Sequence, residues 1–274
     1  MFGRPRVEVK TPAQLELMRA AGLVVHGALT FVQRSARPGM TTAALDALAE
    51  DHIRAAGAAP NFLGYGDPPF PATTCISVND EVVHGIPGPR VLQSGDVVSV
   101  DCGAVLDGWH ADSALTFTLG PASPEVERLL GAPEEAKWCG VAAVRPGGRV
   151  GDVSAAVQAQ LEGPSRRYGI VRDYTGHGIG SALHMAPDVP NYGRVGSGPR
   201  IVEGMALAIE PMVVLGDPAT ETASDEWTVV TADGSLAAHF EHTVAVTATG
   251  TWVLTAPDGG RARLEALGAR YGGP

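Results

Sequence analysis

Three apolar, strand-like runs in this chain carry a carboxylate where an ordinary core would exclude one. They are Val97-Val98-Ser99-Val100-Asp101, Met205-Ala206-Leu207-Ala208-Ile209-Glu210 and Phe240-Glu241-His242-Thr243-Val244-Ala245-Val246. A buried, unpaired carboxylate costs several kcal/mol, roughly, so whatever fold forms must bring something cationic to these strand ends. None of the runs contains Lys or Arg, which leaves local salt bridging as the weaker explanation. Asp112 and His177, beside a β-like run and within a Gly-rich turn, complete a set of four carboxylates and one imidazole. That hard, oxygen-rich set suits a pair of divalent ions sharing carboxylates and a water.

Length and charge narrow the classes. The 274 residues fit one large domain rather than several. With 45% hydrophobic and 18% charged residues and a net charge of −10, the chain reads as an acidic globular protein. Such a surface would repel a phosphate backbone, so nucleic acid is not expected as a substrate. Three scattered cysteines, Cys75, Cys102 and Cys139, suggest neither a disulfide framework nor a thiolate zinc site, which fits a reducing compartment. The Met1 to Arg6 start lacks the apolar stretch of a signal peptide, and no run is expected to reach membrane-span length. The expected location is the cytoplasm, with no membrane partner.

The chain also repeats itself. Arg37-Pro38-Gly39 precedes a helical stretch from Thr41 to Ala56 that stops at Gly57; Arg145-Pro146-Gly147 precedes another, from an N-cap at Asp152 to Glu162, stopping at Gly163. The offset from Arg37 to Arg145 differs by one residue from the offset between Asp101 and Glu210. His84-Gly85-Ile86 and His177-Gly178-Ile179 echo each other at a shorter spacing. Duplication explains this order better than chance. Thr11-Pro12-Ala13-Gln14 starts a long helix with the apolar set Leu15, Met18, Leu23, Val25, Leu29 and Val32. Ser123-Pro124-Glu125 starts another through Leu129, Leu130, Ala136 and Val141, which Gly131 and Pro133 should interrupt. Further strand-like runs occupy Thr73 to Val78, Ala114 to Leu119, Trp227 to Val230 and Trp252 to Leu254. The reading is α+β with a mostly antiparallel sheet covered by helices. One domain spans 1–274, with halves at about 11–120 and 121–254 and a tail at 255–274.

Several blocks carry a family resemblance. Asn79-Asp80-Glu81-Val82-Val83-His84-Gly85-Ile86-Pro87, Val100-Asp101 with Asp112 beyond it, Thr175-Gly176-His177-Gly178-Ile179-Gly180, His184, Ala208-Ile209-Glu210-Pro211-Met212 and Glu241-His242-Thr243 resemble the signature blocks of type I methionine aminopeptidases. The resemblance runs from the first helix to Leu254. It implies the duplicated pita-bread (creatinase/aminopeptidase) fold with internal pseudo-twofold symmetry, and hydrolytic removal of the initiator Met from nascent proteins with a small second residue. It implies two divalent ions (Mn, Fe, Co or Zn), with Asp101 chelating one, His177 binding the other, Asp112 and Glu241 bridging, and Glu210 acting as ligand and proton acceptor. His184 would donate to the scissile carbonyl and His84 would contact the amide beyond the cleaved bond. Tyr65, Phe70, Cys75 and Trp227 match the walls of a Met slot; Phe70 and Cys75 read equally well as plain core.

The chemistry is consistent with that assignment. Peptide hydrolysis needs a nucleophile at neutral pH, stabilisation of an oxyanion and a proton for the amine. A water shared by two cations supplies the first, its pKa falling by many units from about 15.7. His242 faces away from Glu241 on a regular strand and reads as structural or as a support behind the ligands, and His26, His52, His110 and His239 carry no signal for a catalytic role. The chain departs from the family in a longer stretch from Gly64 to Pro71, in Leu183 where Phe is common, and in Thr175 where some members have Cys. A proline-specific relative would carry a further N-terminal domain, for which the residues before Thr73 leave no room. The alternative to an enzyme is a ribosome- or partner-binding module of the same fold. A monomer acting on nascent N-termini is expected, and its own Met1-Phe2 start should keep its Met.

Overall fold

The computed structural model describes residues 7–163 and 168–274; the Met1-Phe2 start lies outside the described residues. In chain order the elements are α1 (Pro12–Ser35), α2 (Thr42–Ala55), β1 (Ala59–Pro60), β2 (Thr74–Val78), β3 (Glu81–Val83), β4 (Val97–Leu106) and β5 (Trp109–Thr118). There follow α3 (Pro124–Ala143), α4 (Val150–Leu161), β6 (Gly169–Ile170), β7 (Gly176–Gly178), β8 (Met185–Val189), β9 (Ala206–Ile209) and β10 (Met212–Val214). The chain ends through β11 (Thr220–Thr222), β12 (Val229–Thr231), β13 (Ala237–His239), β14 (His242–Val246), β15 (Thr251–Val253) and α5 (Arg261–Ala266). This is an α+β fold whose strand pairings are antiparallel apart from one isolated bridge, Thr251 to Tyr271.

Each half is a sheet under two helices. In the first, β4 pairs with β1 and β2 on one edge and with β5 on the other, and α1 and α2 bury Val25, Leu29, Val32, Leu45 and Ile53 against Ile76, Val98 and Val100. In the second, the order β15-β14-β9-β7-β8 is backed by α3 and α4, which bury Leu129, Val141, Val153 and Val157 against Leu207, Ile209 and Val244.

Local rules explain most boundaries, and a few expectations need correction. The capping box of Thr11 and Gln14 starts α1, whose buried stripe is Leu15, Met18, Gly22, Val25, Leu29 and Val32. Leu23 is instead 43% exposed, because it lies about 100° around the helix from Gly22. By length and composition α1 could cross a membrane, contrary to expectation, yet its buried stripe is part of the core. Helix α3 is not interrupted: Pro133 is accommodated inside it and buried with Leu129 and Ala136. Asp152 is not the cap of α4 but its third residue, accepting a bond from the Arg149 N–H at 2.9 Å.

Strands β4 and β5 run further than their apolar cores suggest. Asp107 and Gly108, at φ 51° and 79°, form a two-residue hairpin turn suited to the strand twist. The register it sets pairs Asp101 with Ala114 and Gly103 with Asp112. Asp101 is therefore mid-strand, and the two aspartates are diagonal neighbours on adjacent strands. Trp227, placed by sequence in a strand, precedes β12, and Glu241 precedes β14.

The two half-sheets meet where β5 abuts β14, and hydroxyls do there what a backbone ladder would do. Thr243 Oγ1 accepts from the Asp112 N–H at 3.1 Å and donates to the Asp112 carbonyl at 2.7 Å. Thr116 Oγ1 likewise accepts from the His239 N–H at 2.9 Å and lies 2.7 Å from the His239 carbonyl. Ser113 Oγ donates to the Glu241 carbonyl at 2.7 Å, and the Glu241 N–H reaches the Ala114 carbonyl at 2.9 Å.

Candidate metal centre and substrate cavity

The seam delivers carboxylates from both halves to one place. Asp101 and Asp112 come from the first half-sheet; His177 in β7, Glu210 after β9 and Glu241 before β14 come from the second. Ligand atoms of Asp112, His177 and Glu241 lie within 4.8 Å of one another. His177 Nε2 is 4.0 Å from Asp112 Oδ2 and 3.5 Å from Glu210 Oε1. Two glycines make this proximity possible: a Cβ on Gly176 would lie 2.4 Å from the Ala208 carbonyl oxygen, and one on Gly178 2.3 Å from that of Ala186. Strand β7 thus fits between β8 and β9 with His177 at its centre.

The electrostatics are those of a site built for cations. Burial pushes Glu210 up to about 8 and Asp101 up to about 6, and burial with mutual repulsion holds Asp112 and Glu241 well above the usual carboxylate range. Asp101 Oδ1, Asp112 Oδ1 and Glu241 Oε1 are buried without a hydrogen-bond partner. Among the described residues no Lys or Arg forms an ion pair with any of these four carboxylates; His177 lies against Asp112 and Glu210, His239 lies against Glu210, and the buried Lys137 attracts Glu241 without an ion-pair contact. Direct salt bridges therefore do not compensate the orphaned oxygens, which fit divalent metal. His177 is fit to be a ligand: its Nδ1 is 2.9 Å from the Gly178 carbonyl, which holds the ring in the tautomer with a free Nε2, and burial lowers it to about 3 so that it stays neutral.

A cavity of about 330 Å³ opens onto these residues. Tyr65, Phe70, Cys75 and Trp227 all line it. Cys75 faces inward because β2 pairs it directly with Asp101. Phe70 meets Trp227 edge to face at 5.2 Å, and His84 packs against Trp227 at 6.0 Å and Tyr174 at 5.5 Å. His84 holds φ 59°, a conformation seldom adopted by a non-glycine residue away from functional sites, and burial lowers it to about 4. His184 lies 4.3 Å from His177, ring centre to ring centre, with Nδ1 2.6 Å from the Tyr65 hydroxyl. Tyr65, within the stretch from Gly64 to Pro71, lines the cavity, as do Leu183 and Thr175.

Sequence reasoning passed over His239. The structure places it on the cavity, buried, with Nε2 3.5 Å from Glu210 Oε2, so the two Glu210 oxygens are flanked by His177 and His239. The alternation of β13 offered no signal, since His239 reaches the site only because Thr116 fixes its backbone. Phe62, Val83, Tyr174 and Met212 are further lining residues that the sequence did not single out. His242 is structural as expected, its Nδ1 2.8 Å from Thr255 Oγ1 and its ring against Trp138. His110 lies off the centre, with Nδ1 3.1 Å from the Asn61 amide.

An antiparallel duplicated sheet with a buried carboxylate-imidazole centre at its seam defines a class, and comparison agrees: the chain belongs to metallopeptidase family M24, whose model matches residues 16–248. Its place within that family is among the type I methionine aminopeptidases. It is 50% identical over 248 residues to the methionine aminopeptidase of Clostridium acetobutylicum, covering 90% of this chain and 98% of that one. The crystal structure of methionine aminopeptidase from Thermotoga maritima superposes with a TM-score of 0.88 at 40% identity, covering 91% of this chain and 99% of that one. Prolidase from Pyrococcus furiosus shares the fold alone, at a TM-score of 0.72 and 21% identity, and this chain covers 65% of its length. The pita-bread architecture expected from the sequence is thus the fold observed.

Proposed function

We propose that this chain removes the N-terminal Met from polypeptides with a small second residue, using two divalent ions held by Asp101, Asp112, His177, Glu210 and Glu241. The observation that carries the reading is the set of orphaned, buried carboxylate oxygens on a largely apolar cavity of about 330 Å³. Divalent metal bound there supplies Lewis acidity and lowers the pKa of water, whichever of Mn, Fe, Co or Zn is used.

The chain's own residues do the rest. Glu210, ligand and base at once, takes a proton on its carboxylate and returns it to the departing amine. His184 and His84, both kept neutral by burial, offer N–H groups to the carbonyl and to the amide beyond it. Phe70, Trp227, Tyr65 and Cys75 enclose an unbranched, polarizable side chain, and sulfur packs well on aromatic edges. The acidic centre in a closed cavity favours a free α-amino group over internal peptide. The natural substrates on this reading are nascent N-termini in the cytoplasm, met by a monomer on or near the ribosome.

The test is Met release from Met-Ala-Ser by metal-stripped protein, before and after adding Mn(II) or Co(II), with Glu210→Ala and N-acetylated peptide as controls. Metal-dependent release, lost in both controls, is expected. Intact peptide despite two bound metals would overturn the reading in favour of a binding module.

A further inference from the structure

The two neighbouring imidazoles meet partners of opposite kind. His177 Nδ1 faces a backbone carbonyl, which only accepts. His184 Nδ1 faces the Tyr65 hydroxyl at 2.6 Å, and that hydroxyl has no other hydrogen-bond partner among the described residues. We propose that Tyr65 is a positioning residue for the reaction: its O–H donates to His184 Nδ1 and locks His184 in the Nε2–H tautomer, the opposite of the tautomer held at His177. The inference rests on the aminopeptidase reading for its chemical purpose but not for its geometry.

Chemistry sets the direction of this bond. A phenol keeps its proton at neutral pH, and partial burial raises the Tyr65 hydroxyl further. A neutral imidazole has one lone pair to offer, and at 2.6 Å His184 Nδ1 faces that hydroxyl. In the reverse arrangement Nδ1–H would donate to the tyrosine and the Nε2 lone pair would face the substrate carbonyl oxygen, which an oxyanion cannot accept.

The loop that sequence comparison marks as unusually long is what fixes the hydroxyl. Gly64 and Phe70 close it on themselves, with the Gly64 N–H on the Phe70 carbonyl at 2.8 Å and the Phe70 N–H on the Tyr65 carbonyl at 2.7 Å. The Trp227 indole N–H then holds the Pro68 carbonyl at 3.1 Å. Gly66 lies so close under that indole that a Cβ would come within 2.6 Å of its Cη2. The Met-slot wall and the catalytic imidazole are therefore joined through one loop, so the packing of that wall also places the donor.

The experiment uses metal-loaded full-length protein, labelled with 15N in its histidine rings, with the His184→Gln variant identifying the His184 signals by their loss. An unprotonated Nδ1 and a protonated Nε2 are expected at neutral pH in the wild type. In Tyr65→Phe, which keeps the ring and loses only the hydroxyl, those two signals should move toward an exchanging mixture. Kinetics on Met-Ala-Ser should show a roughly tenfold fall in kcat with KM within about twofold. A protonated Nδ1 in the wild type, or ring signals unmoved in Tyr65→Phe, overturns the proposal, as does a rise in KM with kcat intact, which marks a plain wall. Should the wild type release no Met, the aminopeptidase reading fails, and the ring spectra still decide the tautomer.

Discussion

Replacing Thr243 by Val tests the seam between the half-sheets. The two side chains have nearly the same shape, and Thr243 is fully buried, so the substitution removes a hydroxyl without opening a cavity. That hydroxyl is the partner of both the N–H and the carbonyl of Asp112. Each backbone group left buried and unpaired costs about 1–3 kcal/mol; with some relaxation the two together should cost roughly 2–4 kcal/mol, or about 5–15 °C in Tm for a chain of this size. The Thr243 N–H keeps its bond to Thr255 Oγ1 at 3.2 Å, so β14 itself should stay in place. Asp112 is a proposed bridging ligand, and losing its backbone anchor should also weaken metal about 10–100-fold, as loss of other outer supports does. Urea unfolding of metal-stripped protein and calorimetric titration with Mn(II) measure the two effects separately. A variant within about 0.5 kcal/mol of wild type that binds metal with unchanged affinity would refute the argument that hydroxyls hold this seam.

Other perturbations follow from the same geometry. Glu210 and Asp101 have folded-state values raised above their ordinary 4.5 and 3.8, so their contribution is fully present below about pH 4 and is lost as pH rises through about 6 and 8. Metal-stripped protein should therefore lose on the order of 5 kcal/mol between pH 4.5 and 8.5 from Glu210 alone, and added metal should raise Tm more at pH 8.5 than at pH 5; a stripped protein equally stable at both ends would contradict this. Gly178→Ala drives a Cβ to 2.3 Å from the Ala186 carbonyl oxygen and should cost about 1–3 kcal/mol while displacing His177, visible as lower Tm and weaker metal binding, and undermined if both are normal. Trp227→Ala removes the edge-to-face contact with Phe70 and the bond to Pro68; KM for Met peptides should rise about tenfold, and a variant with unaltered KM would remove Trp227 from the slot.

The proposed ligands could be picked out from sequence because each stands next to a pattern that has a meaning of its own. Asp101 and Glu210 follow apolar runs whose burial is certain, and His177 lies between two glycines that only a close approach of strands requires. The helix cap at Thr11 was legible for the same reason, since a cap acts within four residues. His239, the Tyr65 hydroxyl bond and the hydroxyl seam were not. Each depends on a partner more than a hundred residues away, and a Thr in a strand reads the same whether it faces water, core or another sheet's backbone. Leu23 and Asp152 show the local version of this limit, where a shift of one or three positions changes the face or the cap.

The division of the centre between the two half-sheets also fixes an order of events during the birth of this protein. Asp101 and Asp112 leave the ribosome long before His177, Glu210 and Glu241, and two lone aspartates on a hairpin grip a divalent ion poorly. On the proposed ligand set, tight metal capture would need β14 docked on β5. Loading with metal would then mark a molecule whose two halves have already met.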